Sequence, residues 1–160
     1  MGQSIDKTSF TPVDFKRFEE KLHYCLEALD SLLARPGFGQ GSASIGAELE
    51  LYLVDRRGGP LLRNLEVQAQ SNDPRLTLEL NRYNLEFNLS PVSAAGQPFT
   101  AIEQQMLETL ADLQSLLNGE GSGVVPIGIL PTLGPDHFGE AVMTDTPRYQ
   151  VLAEAIRQSR

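Results

Sequence analysis

Glu48 and Glu50 stand two residues apart in Gly46-Ala47-Glu48-Leu49-Glu50, and Glu86 and Asn88 repeat that spacing in Leu85-Glu86-Phe87-Asn88-Leu89-Ser90-Pro91. Both segments alternate apolar and polar residues with a period of two, so in a strand each polar pair shares one face at a separation of ~7 Å. Glu79 falls on the polar side of a third alternation, Leu76-Thr77-Leu78-Glu79-Leu80-Asn81. Carboxylates ~7 Å apart are too far to share one proton tightly, but suited to bridging one or two cations. Mg²⁺ takes hard oxygen donors and completes its shell with water and substrate phosphate. Without a cation, gathered carboxylates repel and raise one another's pKa. An antiparallel sheet also commonly solvates one face, and glutamate alternating with leucine is what such a face looks like. Glutamate is nevertheless a poor strand former. The pattern alone leaves both readings open.

Other residues able to do chemistry have weaker contexts. His137, in Gly134-Pro135-Asp136-His137-Phe138, reads first as a surface loop residue and only second as a ligand or base. Cys25 falls in a helical apolar stripe and is expected in the core. Gly119 to Gly123 is glycine-rich, but it opens no Gly-x-x-x-x-Gly-Lys-Ser/Thr or Gly-x-Gly-x-x-Gly motif and reads as a connector. Ser90 and Ser93 have no neighbouring histidine that would make either a nucleophile.

The elements that must position the carboxylates follow from punctuation and period. Residues 1–10 read as a flexible arm. Thr11-Pro12 reads as N-cap and first helical residue, and Phe15, Phe18, Leu22, Cys25, Leu29 and Leu32 make one helical face, stopped at Pro36-Gly37. From Ala43 to Leu53 the period is two. Asp55 to Pro60 is a turn, 61–69 a weak return strand, and 76–81 and 85–90 further strands. Thr100 to Glu103 reads as a capping box opening a helix whose stripe is Ile102, Met106, Leu110, Leu113 and Leu117, with Asn118-Gly119 as its C-cap. A strand from Val124 to Leu130 and a Pro/Gly-rich loop lead to Thr146-Pro147, which starts a final helix. This order predicts an α+β fold with a mostly antiparallel sheet and helices packed on one face.

The chain has 160 residues, enough for one domain with a real core. Thirteen basic against 21 acidic residues give a formal charge of −8. That argues against a nucleic-acid surface, which needs a basic patch, and against adhesion to anionic lipid. No apolar run approaches the ~20 residues of a membrane span, and the N-terminal residues lack a signal-peptide core. One cysteine excludes an intrachain disulfide. The expected compartment is the reducing cytoplasm.

Four segments taken in order carry a family resemblance. Gly46-Ala47-Glu48-Leu49-Glu50 resembles the opening Gly-x-Glu-x-Glu strand of the glutamate–cysteine ligase family, including its carboxylate–amine ligase relatives. The stretch from Leu78-Glu79 to Ser90-Pro91 is similar to that family's second acidic strand. Pro126-Ile127-Gly128-Ile129-Leu130-Pro131-Thr132 resembles the strand before its substrate loop, and Met143-Thr144-Asp145-Thr146-Pro147-Arg148-Tyr149 resembles the element that begins its next helix. The resemblance implies a glutamine-synthetase-like catalytic fold holding Mg²⁺ and ATP, here incomplete, with residues 11–160 the front portion of a single catalytic domain. It implies that ATP phosphorylates the γ-carboxylate of glutamate and that the amine of cysteine, or another amine, displaces phosphate. Carried over by position, Glu48, Glu50 and Glu86 are metal ligands and the catalytic set, Glu79 joins the metal cluster, and Arg148 and Tyr149 line the amino-acid pocket. An incomplete sheet implies exposed edge and apolar surface, hence self-association into homo-oligomers.

Overall fold

A computed structural model describes residues 5–117 and 121–159. Two compact units divide the chain: one is Ala43–Asp145, and the other combines the residues up to Ser42 with those from Thr146.

In the Ala43–Asp145 unit, strands β1 (Ser44–Ile45), β2 (Glu48–Val54), β3 (Leu76–Leu78), β4 (Asn84–Asn88), β5 (Val92–Ser93) and β6 (Gly123–Val125) are joined by helices α2 (Asn64–Ser71) and α3 (Pro98–Leu117). The main sheet has the order β3-β4-β2-β6, all pairs antiparallel, while β1 and β5 pair separately. Helices α2 and α3 pack against each other and against the strands. Val67, Ile102, Leu113 and Leu117 from the helices form one core with Leu51, Leu53, Leu76, Leu85, Phe87 and Leu89 from the strands. This is the expected α+β arrangement, with alternate strand residues buried under the helices and the others turned away.

The single strand expected from Ala43 to Leu53 is broken at Gly46-Ala47. Ile45 pairs with Val92 but Glu48 pairs with Asn88, so two residues on one side oppose three, Leu89, Ser90 and Pro91, on the other. The extra residue is a bulge, and Pro91, with no N–H for the ladder, lies within it. The Gln105 side chain of α3 serves the backbone left unpaired there, donating to the Ser90 carbonyl at 3.1 Å and accepting from the Ser90 N–H at 3.0 Å. The bulge keeps Leu89 and Val92 on the core side of the sheet despite their odd spacing.

Three further expectations change. The return strand expected over 61–69 is helix α2. Leu61 still donates to the Leu53 carbonyl at 2.8 Å, but from Asn64 the chain turns so that Asn64 and Val67, one helical turn apart, are both buried. The strand expected to reach Leu130 stops at Val125, where Pro126 can no longer donate to a neighbour. Helix α3 begins at Pro98, in the first helical position that proline favours, rather than at a Thr100 capping box. Its stripe of Ile102, Met106, Leu110, Leu113 and Leu117 does face the core. The expected C-cap at Asn118-Gly119 lies outside the described residues.

In the other unit, α1 (Pro12–Leu33) opens on a complete capping box: Thr11 accepts from the Asp14 N–H, and Asp14 accepts from the Thr11 N–H at 2.9 Å. Lys7, hydrogen-bonded to Asp14, and the Thr11 donors hold this carboxyl far below the usual range. No residue of α1 is buried, and Cys25 is exposed, which corrects its placement in the core. Periodicity identifies the apolar face of a helix; it does not say what covers that face. Helix α4 (Pro147–Gln158) has Thr146 as N-cap and Pro147 in its first turn, as expected.

Candidate metal and substrate site

The polar face of the main sheet gathers the carboxylates that the alternation singles out. In the antiparallel register Glu50 stands directly opposite Glu86 and Glu48 opposite Asn88, while Thr77 of β3 stands opposite Glu86 from the other side. Glu79 follows β3 by one residue and keeps the parity of Thr77. Glu48 and Glu50 are exposed; Glu79 and Glu86 are half-buried.

Glu86 is held in place. One carboxylate oxygen accepts from the Asn88 side-chain amide at 2.7 Å and from the Thr77 hydroxyl at 3.4 Å. Asn88 also donates to the Arg75 carbonyl at 3.4 Å, which ties the group to β3. Glu79 accepts from the Leu80 N–H at 3.1 Å. Burial pushes the Glu79 carboxyl above the ordinary glutamate range. The Leu80 N–H pulls it back, while the charge and close approach of Glu86, and then the charge of Glu50, push it further up. Glu79 therefore senses both Glu86 and Glu50, and Glu48 extends the row on the same face.

The backbone carrying Glu79 is fixed from beneath. The Thr144 hydroxyl donates to the Glu79 carbonyl, and the Thr144 N–H donates to the Leu80 carbonyl at 2.8 Å. The Asn64 side-chain amide reaches the Thr144 hydroxyl at 2.8 Å and the carbonyls of Asn81 and Asn84 at 3.2 Å each. Sequence reasoning did not single out Asn64 or Thr144 for this role. No local signal marks them, because they lie 80 positions apart and meet only through the tertiary fold.

Among the described residues, no three His, Cys, Asp or Glu side chains are grouped so that they could hold a metal ion by themselves. The donor set on this face is nonetheless all oxygen, from carboxylates, a hydroxyl and an amide. That is the chemistry of a hard divalent cation such as Mg²⁺, which is commonly held by few carboxylates plus water and phosphate. Like charges placed directly across an antiparallel pair destabilise a sheet, and a cation between them removes that cost. The face fits an open Mg²⁺ site.

The remaining predicted residues are placed by α4. Arg148 is exposed, with its guanidinium 5.7 Å from the centroid of the Tyr149 ring, and Tyr149 is buried. His137 has a structural role: its Nδ1 accepts from the Gly134 N–H at 2.8 Å, and its carbonyl accepts from the Tyr83 hydroxyl at 2.9 Å.

An antiparallel sheet with helices on one side and an acidic row on the other defines an α+β protein. The model of glutamate-cysteine ligase family 2 matches residues 44–159, well over half of the chain, and the chain belongs to that family. Membership makes it a ligase-family protein of the carboxylate–amine type. No curated protein and no solved structure matches it. Among the described residues no helix is long and apolar enough to cross a membrane.

Proposed function

We propose that this chain supplies the metal-binding face of an ATP- and Mg²⁺-dependent ligase that joins the γ-carboxylate of glutamate to the amine of cysteine through an acyl phosphate. The observation that carries this reading is the in-register opposition of Glu50 and Glu86, with Glu79 beside them. Glu48, Glu50, Glu79 and Glu86 hold Mg²⁺, and Glu48, Glu50 and Glu86 form the catalytic set. Bound there, Mg²⁺ supplies positive charge for two anions that must approach, the triphosphate and the substrate carboxylate. The chain's own residues orient that charge. Asn88 and Thr77 fix one oxygen of Glu86, the β2–β4 register holds Glu50 opposite it, and the Leu80 N–H orients Glu79. Arg148 offers a planar, bidentate donor for an amino-acid carboxylate, with Tyr149 lining the same pocket. The antiparallel sheet covered by helices accords with a glutamine-synthetase-like catalytic domain, and the single cysteine with a cytoplasmic protein.

The family membership accords equally with an amine other than cysteine. The test is phosphate release from ATP with Mg²⁺, glutamate and a panel of amines. Release that depends on both glutamate and cysteine, and is lost in Glu86→Gln, supports the reading. Release with a different amine moves the substrate but keeps the site. Release unaffected by Glu86→Gln and Glu50→Gln together overturns it.

A further inference from the structure

The reversal between β3 and β4 carries Glu79, and an apolar interior does not by itself fix such a turn. Here two polar side chains, each 1% exposed, lie beneath it: Asn64 of α2 and Thr144 of the loop before α4. Burying an amide and a hydroxyl is costly unless both are hydrogen-bonded. The Thr144 hydroxyl and the Asn64 nitrogen meet that requirement by bonding at the turn, while the Asn64 Oδ1 is buried without a partner. Asn64 spans the carbonyls of Asn81 and Asn84, while Thr144 accepts from Asn64 and donates to the carbonyl of Glu79 itself. The three acceptors around the Asn64 nitrogen fix the orientation of its amide. The Thr144 backbone adds a bond to the Leu80 carbonyl, and Arg82 donates to the Val142 carbonyl at 2.8 Å, so the 142–144 segment lies along the turn as a further edge.

We propose that Thr144 and Asn64 are positioning residues for Glu79: the buried Asn64–Thr144–Glu79 relay sets where the Glu79 carboxyl stands relative to Glu86 and Glu50. This rests on reading Glu79 as a metal ligand. The relay holds the main chain that carries the carboxylate rather than the carboxylate itself, so its loss is expected at the lower end of the about 10–100-fold in metal affinity that loss of a partner behind a metal ligand typically costs. Thr144→Val keeps shape and removes the hydroxyl, leaving the Glu79 carbonyl and the Asn64 amide without it. Thr144→Ser keeps the hydroxyl and removes only a methyl group.

The test combines Mg²⁺ titration by calorimetry with amide hydrogen exchange followed by NMR on the metal-free chain. Expected are a roughly tenfold or larger loss of Mg²⁺ affinity in Thr144→Val and near-native affinity in Thr144→Ser. The Leu80 amide, which is bonded to the Glu79 carboxylate, should exchange faster in Thr144→Val while the amides of Leu51 and Leu85 keep their protection. Native Mg²⁺ affinity with native Leu80 protection in Thr144→Val overturns the proposal, as does an equal loss in Thr144→Ser. If the wild-type chain takes up no Mg²⁺, the metal reading fails, and Leu80 exchange alone decides whether the relay positions Glu79. Should Thr144→Val not fold, Thr144→Ala carries the same comparison.

Discussion

Replacing Glu86 by glutamine should stabilise the metal-free protein and destabilise it, relative to wild type, once Mg²⁺ is present. Glu86 faces Glu50 in the β2–β4 register, which puts their Cβ atoms ~5 Å apart, where like charges cost roughly 0.2–1 kcal/mol. Coulomb's law brackets the same quantity: unit charges ~5 Å apart repel by about 3 kcal/mol at an effective dielectric of 20 and by under ~1 kcal/mol in water. Glu50 is exposed, so solvent screening selects the lower end. Glu79 adds a second negative neighbour. The glutamine amide keeps an oxygen for Asn88 and Thr77, so the hydrogen bonds that hold residue 86 survive. The net expectation is a gain of about 1 kcal/mol in chelator, or roughly 2–4 °C in Tm for a chain of this size. Mg²⁺ at a hundred times its Kd would add ~2.7 kcal/mol to the wild type, and the variant should lose most of that. Thermal unfolding followed by circular dichroism, in EDTA and in Mg²⁺, reads both numbers. A variant less stable than wild type in EDTA, or an equal Mg²⁺ shift in both proteins, would refute the reasoning.

Two further predictions concern pH and the core. Because the Glu79 carboxyl is pushed up in the fold, the folded protein binds a proton more tightly there than the unfolded chain does. Its contribution is fully present below the unfolded carboxyl value and is lost as pH rises through the raised folded one. The denaturation midpoint of the metal-free chain should therefore fall over that interval, and Glu79→Gln should flatten the fall; an unchanged profile would count against the assignment. Asp73, held below the usual range by Arg75, acts in the opposite sense and at lower pH: its contribution is lost as pH falls. Leu85 is fully buried between the helices and the sheet, so Leu85→Ala should cost ~2–5 kcal/mol in urea unfolding.

The sequence made the faces of the strands legible because period two is a local property. Leu49, Leu51, Leu85 and Phe87 fall on the core side, and Glu48, Glu50 and Glu86 on the other, as the alternation requires. Register is not local: that Glu50 meets Glu86 rather than Asn88 depends on the turns and on the bulge at Pro91. The segment from Leu61 shows the opposite limit. A short apolar run of leucines and Val67 has no decisive period, and it forms helix α2, which buries Asn64 and Val67 one turn apart. Asn64 and Thr144 were illegible for the same reason, since their significance exists only once the fold brings them together. In α1 the stripe of Phe15, Phe18 and Leu22 was read correctly as a face, yet all three are exposed.

The central claim is that the acidic sheet face takes up a divalent cation. Its most direct test is calorimetric titration of Mg²⁺ into the chain, wild type against the Glu50→Gln/Glu86→Gln pair. Saturable binding by the wild type, abolished in the double variant while the circular dichroism spectrum is unchanged, is the predicted result. No saturable binding, or the same binding in both proteins, would contradict it.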